Sequence, residues 1–173
     1  MLQRSDRWLS LGLGAAAGLA ALGVAHDAAA EVVLGIEPRA ELMIRDPPRF
    51  GPGLSLTLGY SLDLYPLLLA PELELGGSIF PGEDWLGDLR AMAGLRVGFT
   101  AAVEPSIYLH AGYGLVGAAD LVAHGFAVDA GATLDGRLSR EVTLGGSLGY
   151  QGIVAGDGSM HGIVLGPHVV FWF

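Results

Sequence analysis

Apolar residues recur at every second position of this chain over long stretches. Between Leu54 and Leu64, each even position is Leu or Tyr, and each odd position is Ser, Thr, Gly or Asp. Successive side chains of a β-strand point to opposite faces of the sheet, so this alternation predicts a strand with one apolar and one polar face. Its length exceeds the usual strand of about five or six residues and reaches the roughly nine to eleven that cross a bilayer at a tilt.

The same alternation recurs in eight segments. They span residues 32–45, 54–64, 67–78, 89–99, 107–115, 126–134, 142–151 and 162–173. Longer connections at 46–52, 79–87, 116–124 and 152–160 alternate with shorter ones at 65–66, 100–105 and 135–140. Four loops at one end, with three turns and both termini at the other, are typical of an even-stranded antiparallel barrel with up-and-down topology. Only a closed sheet pairs every backbone group in lipid, so the pattern predicts an all-β, eight-stranded transmembrane barrel.

Residues 1–30 have the organisation of a cleavable signal peptide. Arg4 and Arg7 precede an uncharged apolar run over residues 8–25, and the small residues Ala28-Ala29-Ala30 follow. This order predicts export and cleavage before Glu31, with residues 31–173 forming the barrel domain. The apolar run is also just long enough to be a retained membrane anchor, but its Ala and Gly content and the cleavage motif favour removal.

Period-two alternation alone does not say which face of a barrel points outward. A soluble secreted barrel of lipocalin type has the same period, with its apolar face inside. Here the polar face mixes charges with Gly, Ser, Thr and Ala, and the chain contains no Lys. A solvated face would be rich in long charged side chains, so we predict that the polar face lines a narrow interior and that the apolar face contacts lipid.

Charges inside such a barrel need partners to offset the loss of solvation. We therefore predict an interior network of paired acids and arginines. Its members are Glu37, Arg39, Glu41, Arg45, Glu72, Glu74, Arg90, Arg96 and Asp129.

Aromatic residues gather at the two ends of the predicted strands. Those near the turns are Tyr65, Phe99, Phe171 and Phe173, and those near the loops are Phe50, Phe80, Trp85, Phe126 and Tyr150. Two such girdles are typical of barrels that sit across the interfaces of a bilayer.

Prolines interrupt three of the predicted strands, at Pro38, Pro71 and Pro167. A proline lacks the N–H that a sheet needs, so each should remove a ladder hydrogen bond or mark a bulge. If the first and last strands close the barrel, Pro38 and Pro167 lie at similar heights on one seam. We expect either a weakened closing seam or two bulges there.

The chain ends in Val169-Val170-Phe171-Trp172-Phe173, with aliphatic or aromatic side chains at Val169, Phe171 and Phe173. This ending resembles the C-terminal strand that the barrel assembly machinery of Gram-negative bacteria recognises. Together with the leader and the strand count, residues 31–173 resemble the small eight-stranded outer-membrane barrels of the OmpX and OmpA transmembrane type. The resemblance implies residence in the outer membrane, contact with its lipid, and the assembly machinery as a partner.

Composition narrows the function further. The chain is 51% hydrophobic and 16% charged, against about 25% charged in a typical soluble domain, and its net charge is -9 with no Cys. These values argue against disorder, a disulfide scaffold and nucleic-acid binding. We predict a non-enzymatic surface protein with a structural, adhesive or protective role and no cofactor, its extracellular partner unidentified. A small pore or transport barrel, a lipid-modifying barrel enzyme and a soluble lipocalin-like barrel remain alternatives.

Two groups of polar residues were considered as a catalytic site and as a metal site. His110, Asp129 and Ser147 share the predicted interior, but their heights are staggered, which favours a structural network over a catalytic triad. No residue of the predicted lipid-facing parity is Ser, His, Asp or Glu. An acidic and histidine-containing set lies in the loops: Glu83, Asp84, Asp88, Asp120, His124, Asp157 and His161. It lacks the spaced ligands of a calcium loop, so we predict solvated acidic loops and no metal site.

Overall fold

The computed structural model describes residues 30–82, 85–118, 121–156 and 158–173. Within them the chain forms eight strands. They are β1 (Ala30–Met43), β2 (Arg49–Leu64), β3 (Leu67–Phe80), β4 (Leu86–Phe99), β5 (Val103–Ala118), β6 (Leu121–Arg137), β7 (Val142–Ala155) and β8 (Gly158–Trp172). Residues 1–29, which hold nearly all of the predicted signal peptide, lie outside the described part.

Every strand pairs antiparallel with the next one in the chain, and β1 pairs with β8 to close the sheet. The predicted fold, a closed eight-stranded up-and-down barrel, is confirmed. No helix in the described part of the chain is long and apolar enough to cross a membrane.

The strands run further toward the loop end than the sequence predicted. They contain 14 to 17 residues each, and the predicted loops at 116–124 and 152–160 are largely strand. Only two residues separate β5 from β6, and two separate β7 from β8. Gly156, which follows β7, has a φ of +51°, a conformation that glycine adopts without strain because it has no Cβ.

The two faces of the sheet have the polarity that the sequence predicted for a lipid-facing barrel. On β3, the side chains of Leu73 and Leu75 are about 60% exposed, whereas Glu72 and Glu74 are buried inside. The other strands repeat this arrangement, which is the reverse of a soluble barrel. The aromatic prediction was wrong for Phe80, which points inward and is wholly buried, because it lies on the same parity as Glu72 and Glu74.

The prolines of the closing seam face each other. The pairs Ile36 with Val169 and Ala40 with Leu165 flank a gap in the β1–β8 ladder, and the register is the same on both sides of it. No residue is therefore inserted, and the register places Pro38 directly opposite Pro167. The alternative of two bulges was wrong, because the register of β1 and β8 is unchanged across the two prolines, which lack a backbone N–H donor.

We expect this seam to be the least protected part of the barrel wall. In hydrogen exchange followed by NMR in micelles, the amides of residues 36–40 and 165–169 should exchange at least roughly tenfold faster than those of β2, because the seam lacks two ladder donors. Residues 89–97 of β4, whose pairing with β5 is uninterrupted, serve as the internal control. Equal protection of the seam and of β2 would contradict a weakened closure.

Candidate functional site

The centre of the lumen is occupied by the guanidinium group of Arg39. Its Nε lies 2.7 Å from Glu37 Oε1 on the same strand, and its Nη1 lies 2.6 Å from Asp129 Oδ2 on β6 and 3.0 Å from Glu74 Oε1 on β3. All four side chains are buried. An arginine from β1 thus binds carboxylates from strands on other sides of the barrel, which closes the lumen at this height.

A second group of charges joins β3, β4 and β5. The His110 ring lies 3.1 Å from Glu72 Oε2 through Nε2 and 2.8 Å from Glu74 Oε2 through Nδ1. Arg96 donates from Nε to Glu72 Oε1 at 2.8 Å. Glu74 contacts both His110 and Arg39, so the two groups form one continuous network.

Toward the loops, Glu41 is the centre of a third group. Its carboxylate accepts hydrogen bonds from Ser78 at 2.6 Å and from the amide of Gln151 at 3.0 Å. Arg90 lies 3.8 Å from Glu41 and 3.0 Å from Asp88. The wholly buried Glu41 is therefore satisfied by β3, β4 and β7 together.

Toward the turns, the lumen is polar but less filled. His168 on β8 hydrogen-bonds to Asp135 on β6, which also accepts from Thr133 at 2.6 Å. A small cavity of about 50 Å³ lies here, with Asp135, Arg96 and Trp172 in its wall. The Arg137 guanidinium carbon lies 4.7 Å from the centre of the Trp172 ring.

The structure brings together eight of the nine side chains predicted as an interior network. The exception is Arg45, which lies beyond the end of β1 and is exposed. It forms no ion pair within the described residues. The strand alternation, continued to residue 45, predicted an inward side chain. Because Arg45 follows the end of β1, the alternation no longer sets the direction of its side chain.

The three interior residues considered as a triad do not act on one another. His110 contacts Glu72 and Glu74, Asp129 binds Arg39, and Ser147 donates to Glu37 at 2.6 Å. Each belongs to the ion network. The three residues do not form a catalytic triad of nucleophile, base and orienting group.

An apolar cluster that the sequence analysis missed fills the loop end of the lumen. Its buried members are Met43, Phe80, Met92, Ala127, Ile153, Ala155 and Met160, with Leu86 and Val116 packed against them. Gly114 on β5 makes room for Ile153, because a Cβ at this glycine would lie 2.9 Å from the Ile153 side chain. The sequence does contain a sign of this cluster, because residues of both parities become apolar where the strands approach the loops, as at Met43-Ile44 and Ile79-Phe80.

The outer wall also carries polar groups that the sequence analysis placed in loops. His161 and Ser159 lie on the outward parity of β8, and Tyr150 lies on the adjacent β7. The His161 ring hydrogen-bonds through Nε2 to Ser159 Oγ at 2.8 Å and through Nδ1 to the Tyr150 hydroxyl at 2.5 Å. The prediction that the lipid-facing parity contains no Ser or His was therefore wrong, because β6 and β8 extend beyond their predicted starts and bring His124, Ser159 and His161 onto it.

A cleft of about 310 Å³ adjoins this outer group at the loop end of the barrel, beside the β1–β8 seam. Met43, Ile153 and Met160 form part of its apolar wall, and Arg45 and His161 also line it. The last backbone contact between the two strands there is the hydrogen bond from Ile44 N to His161 O at 2.7 Å.

Four of the loop acids considered as metal ligands, Glu83, Asp84, Asp120 and Asp157, lie outside the described residues. Asp88 points into the lumen, where it pairs with Arg90. Among the described residues, no three acidic or histidine side chains are grouped closely enough to hold a metal ion.

An apolar outer wall around a charged, side-chain-filled lumen defines the class of small membrane-type β-barrels. Among solved structures, the chain is similar to Neisserial surface protein A, with a TM-score of 0.71, 11% identity and coverage of 84% of this chain and 99% of that one. It is also similar to Ail, the attachment invasion locus protein of Yersinia pestis, with a TM-score of 0.56, 14% identity and coverage of 83% and 98%. The outer membrane enzyme PagL matches with a TM-score of 0.55, 12% identity and coverage of 78% and 97%.

No protein-family model matches the sequence, and no curated protein matches it. At these identities the similar structures establish the fold. The predicted resemblance to small eight-stranded outer-membrane barrels is confirmed at that level.

Arg39 offers a direct test of the network. Arg39→Met keeps most of the side-chain volume but leaves the carboxylates of Glu37, Glu74 and Asp129 without their shared cation, so the free energy of unfolding should fall by about 3–5 kcal/mol. Urea unfolding of the refolded barrel in lipid vesicles, followed by tryptophan fluorescence, measures this change. Arg140→Met, at an exposed turn position, is the control and should change stability by less than about 0.5 kcal/mol. Equal stability of the two variants would contradict the role assigned to Arg39.

Proposed function

We propose that this protein is an integral outer-membrane barrel with a closed lumen, and that its role at the cell surface is structural, adhesive or protective, without catalysis. The observation that carries the proposal is the double closure of the lumen. Arg39 and its carboxylates fill the middle, and Phe80 and Ile153 belong to the apolar cluster that fills the loop end. An eight-stranded barrel has an interior just wide enough for side chains, so little space remains for a pore.

Three features support the membrane location. The outward parity is apolar along most of each strand, with His124, Ser159 and His161 confined to the loop end. Strands of 14 or more residues are long enough to cross the hydrocarbon core, and exposed aromatics such as Phe126 and Phe99 lie toward opposite ends. The leader at residues 1–30 would direct export. The final strand, with Val169, Phe171 and Phe173 on one parity, would be the segment presented to the barrel assembly machinery.

Short connections at the loop end favour a structural or protective role over a broad adhesive surface. Five residues separate β1 from β2 and β3 from β4, and two residues form each of the other loop-end connections. Ail, which shares the fold, is named as an attachment invasion locus protein, and for this reason the proposal includes an adhesive role.

A barrel with a closed lumen should not conduct ions. Purified protein in a planar bilayer should give no conductance steps, and Phe80→Ala should also stay silent because the Arg39 network still fills the middle of the lumen. The double variant Phe80→Ala with Arg39→Ala should conduct, since both closures are then removed. Sustained conductance by the unaltered protein would show instead that it is a small pore.

The hydrogen-bonded group on the outer wall favours one second candidate, a lipid-modifying enzyme. A serine hydroxyl next to a histidine that a third group orients is the arrangement of a nucleophile and its base, and Ser159, His161 and Tyr150 form it at 2.8 and 2.5 Å. The group faces outward near the loop end of the barrel. PagL, which shares the fold, is described as an outer membrane enzyme.

An ester-cleavage assay separates the two candidates. If the protein is non-enzymatic, as we propose, refolded barrel in phospholipid vesicles should release no more fatty acid than vesicles alone. Release that disappears in Ser159→Ala and in His161→Ala, but persists in Ser139→Ala at an exposed turn, would establish the enzyme instead.

A further inference from the structure

The cleft at the loop end of the β1–β8 seam has no role in a closed barrel. Its volume of about 310 Å³ lies at the lower end of the roughly 300–1,000 Å³ that is common for small-ligand sites. It lies where β1 ends at Met43 while β8 continues to Gly158, so that residues 158–160 extend past the last backbone contact, between Ile44 and His161. The cleft therefore extends from the mouth of the lumen, where Leu86, Val116 and Ala123 line it, to the end of the β1–β8 seam.

Its lining combines two chemistries. The deep wall is formed by the apolar side chains of Met43, Ile153 and Met160, which belong to the luminal cluster. Ile44, which follows the outward parity of β1, lines the cleft as well. An occupant with a hydrocarbon chain could thus reach the luminal cluster directly from the lipid-facing wall.

The polar part of the lining carries a cation and a hydrogen-bonding group. Arg45 is exposed, and no ion pair within the described residues neutralises it. His161, held in place by Tyr150 at 2.5 Å, and Ser159 also line the cleft. A guanidinium group that lines the same cleft as a histidine and a hydroxyl suits a carboxylate or a phosphate, since charge-assisted hydrogen bonds are the stronger ones.

We propose that this cleft binds a single-chain anionic amphiphile, with its hydrocarbon chain against Met43, Ile153 and Met160 and its head group at Arg45 and His161. The proposal rests on the membrane location proposed above but not on the closure of the lumen. The head group can be the carboxylate of a fatty acid or the phosphate of a lysolipid, which share the negative charge that Arg45 recognises.

The test uses the full barrel in lipid nanodiscs with 16-doxyl stearate as the probe. Paramagnetic broadening of amide signals should be stronger at Met43, Ile153 and Met160 than at Leu73, which faces bulk lipid. Unlabelled stearate and a lysophosphatidic acid should each reverse the broadening, and whichever competes at lower concentration identifies the source of the head group. Broadening no stronger at the cleft than at Leu73 would overturn the site.

Two variants and their controls test the two halves of the site. Ala155→Phe fills the cleft and should abolish the extra broadening, whereas Ala132→Phe on the outward face of β6 should leave it unchanged. Arg45→Gln should weaken stearate binding roughly tenfold, the effect of losing one charge-assisted contact, while Arg140→Gln should not.

Arg45 lies outside the strands, so its variant keeps the test open even if Ala155→Phe fails to fold. Equal affinity for stearate and for its methyl ester, or no difference between the two arginine variants, would overturn the anionic head group. Conductance by the unaltered protein would contradict the closed lumen and leave this result standing, so the two failures are distinguishable.

Discussion

The barrel depends on one interaction, the binding of the Arg39 guanidinium to three carboxylates, two of which come from other strands. Glu37, Glu74 and Asp129 reach it from β1, β3 and β6 at 2.6–3.0 Å. In a barrel with a lipid coat, the usual apolar core is on the outside, so the interior must be stabilised by polar contacts. A buried charge without a partner costs free energy. The three carboxylates therefore depend on the Arg39 cation, and the cation depends on them.

The rest of the interior follows from that constraint along the barrel axis. Around Arg39 the lumen is filled by paired charges, toward the turns it contains a small cavity beside Asp135 and Trp172, and toward the loops it becomes apolar around Phe80 and Ile153. Luminal and lipid-facing side chains are both largely apolar at the loop end, where the cleft adjoins the β1–β8 seam. The seam is also where Pro38 and Pro167 remove ladder donors from the wall.

Much of this architecture could be predicted from the sequence, because a period of two residues specifies strands, faces and polarity at once. Strand number, closure and the inward position of Glu72 and Glu74 all followed from alternation. The partners of Arg39 could not be predicted, since they depend on how the strands are staggered around the barrel, which no local pattern encodes. Phe80, Ser159 and His161 were misplaced for a different reason: Gly and Ser near the strand ends looked like loop residues, yet the backbone continues as strand through them.

The central claim is that the apolar parity faces lipid and the charged parity faces a closed lumen. The chain contains no Cys, so single cysteines can be introduced and spin-labelled at residues 143 to 150 of β7 in vesicle-reconstituted protein. Collision with oxygen, which concentrates in lipid, should be high at the even positions such as Leu144 and Leu148 and low at the odd positions such as Thr143 and Ser147. A profile without period two, or one with the odd positions more accessible to oxygen, would contradict the account.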